Sequence, residues 1–169
     1  TIKITPQRLR KVRRLIESGE IVVRYMPSGD DHHGGTAAYN HTYDVIKCPV
    51  SSLKKLGKKA QMMHELVHAA VDVYQPGRHK ITEDEGAGNL AYAVFVRYVN
   101  PQEDLSPIYP PGDPREPLLR VTWNLAGKVL KGESLTQAEQ FRLKNAVKAN
   151  PTYKQKIKDQ DNSTIFDGV

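Results

Sequence analysis

The sequence predicts a single domain of the α+β class, and three observations predict it. Short runs of β-forming residues, closed by proline and glycine, fall in the first third of the chain. Longer segments with helical spacing of apolar residues and recognisable caps flank and follow them. The length of 169 residues with 38% apolar content suits one domain with a real core. No apolar run approaches the roughly 20 residues of a membrane helix, so the chain reads as soluble, with no signal peptide or membrane span visible. Cys48 is the single cysteine, which excludes an internal disulfide and a zinc site built on cysteines. The opening at Thr1, without methionine, leads us to expect a processed product or a domain cut from a larger protein. It leaves the compartment open.

The first element is a helix over residues 5–18, with Thr5 as its cap, Pro6 at the first helical position and Gly19 as its stop. Leu9, Val12, Leu15 and Ile16 form its apolar stripe. Lys3, Arg8, Arg10, Lys11, Arg13 and Arg14 precede the first acidic residue, Glu17, and account for the whole net charge of +6, because the other 19 basic residues balance the 19 acidic ones. We read them as the solvated face of a docked helix. A patch for an anionic partner, nucleic acid included, is the reading not favoured.

Residues 20–25 read as a strand, closed by Pro27 and Gly29. A polar stretch with His32, His33, Gly34 and Gly35 follows, and residues 42–48 form a second strand ended by Pro49. These histidines and His41 are read as loop residues, and Tyr39, Tyr43, Tyr74 and Tyr92 as packing residues. A helical region begins at Ser51 or Ser52, with Gly57 as an interruption, and its main helix runs to about Tyr74 before Gln75, Pro76 and Gly77 stop it. Another helix spans about 82–99. Residues 101–117 hold six of the 11 prolines and read as an extended loop. A last helix covers about 136–150, opened by a capping box of Thr136 and Glu139, and the polar tail from Lys154 is expected to fray. The whole, residues 1–169, is read as one domain with a long wrapping loop.

The chemistry concentrates at His64, Glu65 and His68. Histidines at i and i+4 of a helix lie one turn apart on one face, about 5 to 6 Å between Cβ atoms, so both imidazoles reach one zinc ion. Glu65, about 100° round the helix from His64, is turned to hold a water rather than to share the ligation. Met62, Leu66, Ala69, Ala70 and Val73 lie on the opposite side, leaving the histidines outside the apolar stripe. A catalytic zinc takes three protein ligands and keeps one open position. The metzincin continuation needs glycine at position 71 and histidine at position 74, where this chain has Val71 and Tyr74. His79, Glu83, Asp84 and Glu85 stay open as the third ligand. Glu85 is favoured because Gly86 and Gly88 let a helix approach closely, with Ala87, Leu90, Ala91, Val94 and Tyr98 as an apolar face opposite it. The competing role of Glu85 is a capping box with Thr82. Asp72, one turn after His68, is placed to accept a ligand imidazole's free N–H or else is a solvated acid at the helix end.

The run His64-Glu65-Leu66-Val67-His68-Ala69-Ala70-Val71-Asp72, followed by an acidic residue in a small, alanine-rich helix, resembles the gluzincin branch of the zincin metallopeptidases. It is most similar to compact bacterial and phage zincin-like domains, over residues 43–96. The resemblance implies zinc held by His64, His68 and Glu85, with Glu65 as general base acting on a zinc-activated water. It implies a minimal zincin fold, a small mixed or antiparallel sheet on the active-site helix with further helices, whose edge strand pairs with an extended peptide or protein substrate. The Gly-Ala-Gly after Glu85 departs from the pattern's plain alanine run, and the serine and aspartate of thermolysin-like enzymes are absent. The function expected is that of a zinc metallopeptidase. The alternatives are a peptidase-like toxin or effector domain of a larger protein, and a zinc-stabilised module that binds an anionic partner.

Overall fold

The computed structural model describes residues 5–26, 37–49, 55–102, 112–161 and 163–166. They form an α+β fold of helices with a three-stranded sheet. The chain divides into two compact units, residues 1–78 with 165–169, and residues 79–164.

The first unit opens with α1 (Pro6–Ser18), capped as expected by the Thr5 side chain on the Arg8 N–H and closed by Gly19 at φ 85. That positive φ is the left-handed closure for which glycine carries no β-carbon penalty. Three strands follow, β1 (Val22–Met26), β2 (Ala38–Asn40) and β3 (Val45–Pro49), and then α2 (Leu56–Tyr74). The sheet is mixed, in the order β1-β3-β2. β1 runs parallel to β3 from the pair Val22–Val45, and β2 runs antiparallel to it with Tyr39 opposite Ile46. The expected second strand is thus shorter at its start, because residues 41–44 are a turn. Asn40 Oδ1 accepts the Thr42 and Tyr43 N–H groups there, and Asp44 takes the left-handed conformation at φ 49. β2 itself corrects the reading of its stretch as a polar loop. Of that stretch, His32 and His33 lie outside the described residues.

Gly57 does not interrupt α2, and the helix runs on to Tyr74. Val12, Leu15, Ile21, Ile46, Ala69 and Ala70 form the core of this unit, with Leu9, Ile16, Met62, Leu66 and Val73 packed against it. Both predicted apolar stripes, on α1 and on α2, therefore face inward. Arg10, Lys11, Arg13 and Arg14 remain exposed. Arg13 pairs with Glu17, while Arg8 lies over the Tyr74 ring and donates to Gln75.

The second unit contains α3 (Ile81–Val99), α4 (Glu116–Leu130), α5 (Gln137–Ala149) and α6 (Pro151–Asp159). The boundary between the units falls within β4 (Gly77–Lys80) and within β5 (Ser163–Phe166). Leu118, Val121, Leu125, Leu143 and Val147 form the second core. The sequence reading misses α4 and α6 and needs correcting at both. Glu116 and Pro117 open a helix instead of ending the proline-rich loop, since proline lacks an N–H that the first helical turn does not use. Residues 103–111 of that loop lie outside the described residues. Pro151 likewise starts α6, with Asn150 Oδ1 accepting the Thr152 N–H, so the tail is helical to Asp159.

The face of α3 also differs from expectation. Tyr98 is 74% exposed, and the buried side carries Ile81, Glu85, Gly86, Ala93 and Val96. Gly86 serves close packing against α5, where a β-carbon would stand 3.3 Å from Leu143 Cγ. Among the described residues, no helix is long and apolar enough to cross a membrane.

The capping box of α5 forms as predicted, and Glu139 also receives Lys128 Nζ at 2.8 Å. The Lys128 ammonium, then the Thr136 N–H and hydroxyl, hold the Glu139 carboxyl well below its usual range, at about 2. A carboxyl lowered on folding stabilises above its ordinary value of 4.5 and loses that contribution as pH falls toward about 2. Glu139→Gln is expected to flatten the acid limb of a melting-temperature profile between those two values. Gly86→Leu, which forces bulk against Leu143, should lower stability by about 1–3 kcal/mol in urea denaturation.

Candidate metal centre

The second half of α2 is buried all round, from Val67 to Asp72. Ala69 and Ala70 lie in the first core, while His64 and Glu65 are partly buried and His68 is buried. One ligand atom each of His64, Glu65 and His68 lies within 4.8 Å of the others. The two imidazole rings stand 4.7 Å apart between centroids at an interplanar angle of 68°. Donors of a tetrahedral zinc about 2.1 Å from the ion stand about 3.4 Å from one another, so small side-chain rotations bring the imidazoles to that spacing. The two imidazole nitrogens are donors of the kind zinc takes, and these histidines could hold a metal ion.

Two carboxylates of α2 are held by one residue of the sheet. Glu65 Oε2 accepts the backbone N–H of Tyr39 at 2.8 Å. The Tyr39 hydroxyl reaches Asp72 Oδ2 at 2.6 Å and Asp44 Oδ1 at 2.9 Å, and it has a single proton to donate. Burial first, and then the Asp72 and Asp44 carboxylates, push the phenol far above its ordinary range, so it stays protonated as a donor at any working pH. Asp72 is fully buried. The reading of Asp72 as a solvated acid is therefore corrected, since that carboxylate lies inside the unit with the tyrosine hydroxyl on it. Tyr39 is also more than a packing residue, and Tyr43 is not one, at 74% exposure. No spacing in the sequence relates residue 39 to residues 65 and 72, and the polar context of β2 hid the strand that brings them together.

The four residues open as third ligand are on β4 and α3. Asp84 and Glu85 are buried, at 2% and 5% exposure. Glu85 Oε1 accepts Lys156 Nζ of α6 at 2.8 Å. Glu83 Oε1 is held by Lys144 Nζ of α5 at 2.5 Å, and although burial opposes ionisation, that hydrogen bond and charge prevail and lower its carboxyl. The competing capping role of Glu85 loses its basis. α3 begins at Ile81 after Lys80, which puts Thr82 inside the helix and not at its cap.

Compared with protein-family models, curated proteins and solved structures, the chain matches none significantly.

The Lys156 pair holds a nearly buried carboxylate from the more exposed side, and its lysine is 40% exposed. Solvent screening keeps such a pair modest. Lys156→Met is expected to lower the stability of the chain by about 1 kcal/mol in urea, and part of that loss should be recovered in Lys156→Met/Glu85→Gln, where no buried charge is left without its lysine.

Proposed function

We propose that the chain is a zinc-dependent peptidase whose ion is held by His64, His68 and Glu85 and whose general base is Glu65. The observation that carries this reading is the gathering of the His64, Glu65 and His68 donors within 4.8 Å on α2. The place of Glu85 in the set rests on the likeness of the sequence to the gluzincin pattern. Zinc, when bound, supplies Lewis acidity toward a carbonyl and makes water a stronger acid.

The remaining chemistry belongs to the chain. The Tyr39 N–H occupies Glu65 Oε2 and so orients the carboxylate, leaving Oε1 as the atom that takes a proton from water and returns it to a leaving amine. The holder is a neutral amide, so Glu65 is positioned without a cation that would bind its charge. The rigid, core-packed side of α2 keeps His64 and His68 one turn apart, which limits the rearrangement that ligation requires. A peptide or protein is the substrate class that this apparatus suits.

The test is metal content beside cleavage. The purified chain should bind about one zinc per molecule, and His64→Ala, His68→Ala and Glu85→Ala should each lower that content and the melting temperature, because ligation is coupled to folding. Full zinc in Glu85→Ala, with loss in Glu83→Ala, Asp84→Asn or His79→Ala, would reassign the third ligand. Glu65→Gln should keep zinc and melting temperature near wild type while cleavage of a mixed peptide library, read by mass spectrometry, falls by about 10² to 10⁴. Equal cleavage by wild type and Glu65→Gln would sink the mechanism.

A further inference from the structure

Tyr39 is the residue at which the edge of the sheet meets the candidate centre. In an antiparallel pair, alternate N–H groups of an edge strand point away from the neighbouring strand. Tyr39 sits opposite Ile46 on β2, and its N–H points outward to Glu65 Oε2. Its side chain reaches Asp72, which follows Glu65 by seven residues and therefore lies almost directly along the helix from it, two turns on. One tyrosine thus spans two turns of α2, with its main chain at one acid and its hydroxyl at the other. Asp72 also stands one turn after His68, where an i, i+4 carboxylate comes within reach of an imidazole. Asp44, in the turn after β2, lies with Oδ1 2.9 Å from the same hydroxyl.

We infer that Tyr39 is a positioning residue of the metal centre: its N–H sets the Glu65 carboxylate, and its hydroxyl, by fixing Asp72, sets the imidazole of His68. The inference rests on the zinc reading given above and adds to it a residue from outside the helical motif. A carboxylate that orients a ligating imidazole must itself be oriented, and residues in that outer role typically change metal affinity by about 10- to 100-fold when altered. Asp72 is fully buried, so a protein donor must do that orienting. The Tyr39 hydroxyl is such a donor, at 2.6 Å.

The experiment compares wild type, Tyr39→Phe, Asp72→Asn and Tyr39→Phe/Asp72→Asn in three measurements. Zinc affinity is read by chelator competition, the ligand field by the visible spectrum of the cobalt(II)-loaded protein, and stability by thermal melting. Tyr39→Phe, which keeps the ring and the N–H, is expected to weaken zinc binding by about tenfold and to shift the cobalt bands. If Tyr39 acts through Asp72, the double variant binds zinc within about twofold of Asp72→Asn, because the two losses do not add. A Tyr39→Phe protein with a lower melting temperature but wild-type zinc affinity and cobalt bands would overturn the inference, leaving Tyr39 as a tie between β2 and α2. Losses that multiply in the double variant would overturn it too. Should Tyr39→Phe fail to fold with the Asp72 charge in place, the double variant, which lacks that charge, decides the matter against Asp72→Asn by the same comparison. Wild-type protein that takes up no zinc would overturn the zinc reading and this inference with it, whereas zinc-binding wild type with an unaffected Tyr39→Phe overturns this inference alone.

Discussion

Asp72 has no exposure to solvent, and a carboxylate taken out of water has to be given donors or it cannot stay charged. That requirement ties together the parts of the first unit. One donor at Asp72 is the Tyr39 hydroxyl, which requires β2 to lie along α2. β2 in turn has its register from Ile46 of β3, a fully buried residue of the core on which α1 and α2 pack. The hydrogen bond and the apolar core therefore specify one arrangement between them. Apolar packing draws Ala69 and Ala70 inward, and the amide and phenol of Tyr39 meet Glu65 and Asp72 of the same helix.

Two kinds of donor meet these acids. Glu83 and Glu85 accept from lysine ammonium groups of α5 and α6. Glu65 accepts from a backbone amide and Asp72 from a phenol. An ammonium neutralises the charge it holds, while a neutral donor fixes the geometry of a carboxylate and leaves its charge in place. The latter arrangement suits a group that must accept a proton, and it falls at the residues where the proposed chemistry needs a base.

The local signals of the sequence carry far. Thr5, Pro6 and Gly19 bound α1, and Thr136 with Glu139 opens α5, because caps satisfy the orphan N–H and C=O groups of a helix end with residues a few places away. The apolar stripes of α1 and α2 name their inward faces correctly, since helical periodicity is itself a local property. The same logic fails where one signal admits two readings. Proline at 117 and 151 reads as a breaker or a stop, yet each sits in the first turn of a helix, a role set by the residues on its C-terminal side. The three residues of β2 are too few for a periodic signal, and their strand exists because β3 pairs with them.

By itself, then, the sequence determined the α+β class, the bounds of the capped helices, and the grouping of His64, Glu65 and His68 on one helical side, all of which follow from separations of a few residues. Only the tertiary structure decided that Asp72 is buried, that Tyr39 holds it and Glu65 together, that Gly86 packs on α5, and that Glu85 meets Lys156. These contacts join residues about 26 to 71 positions apart. Chain closure over such distances is set by the combined packing of many side chains, and no pairwise spacing along the chain encodes it.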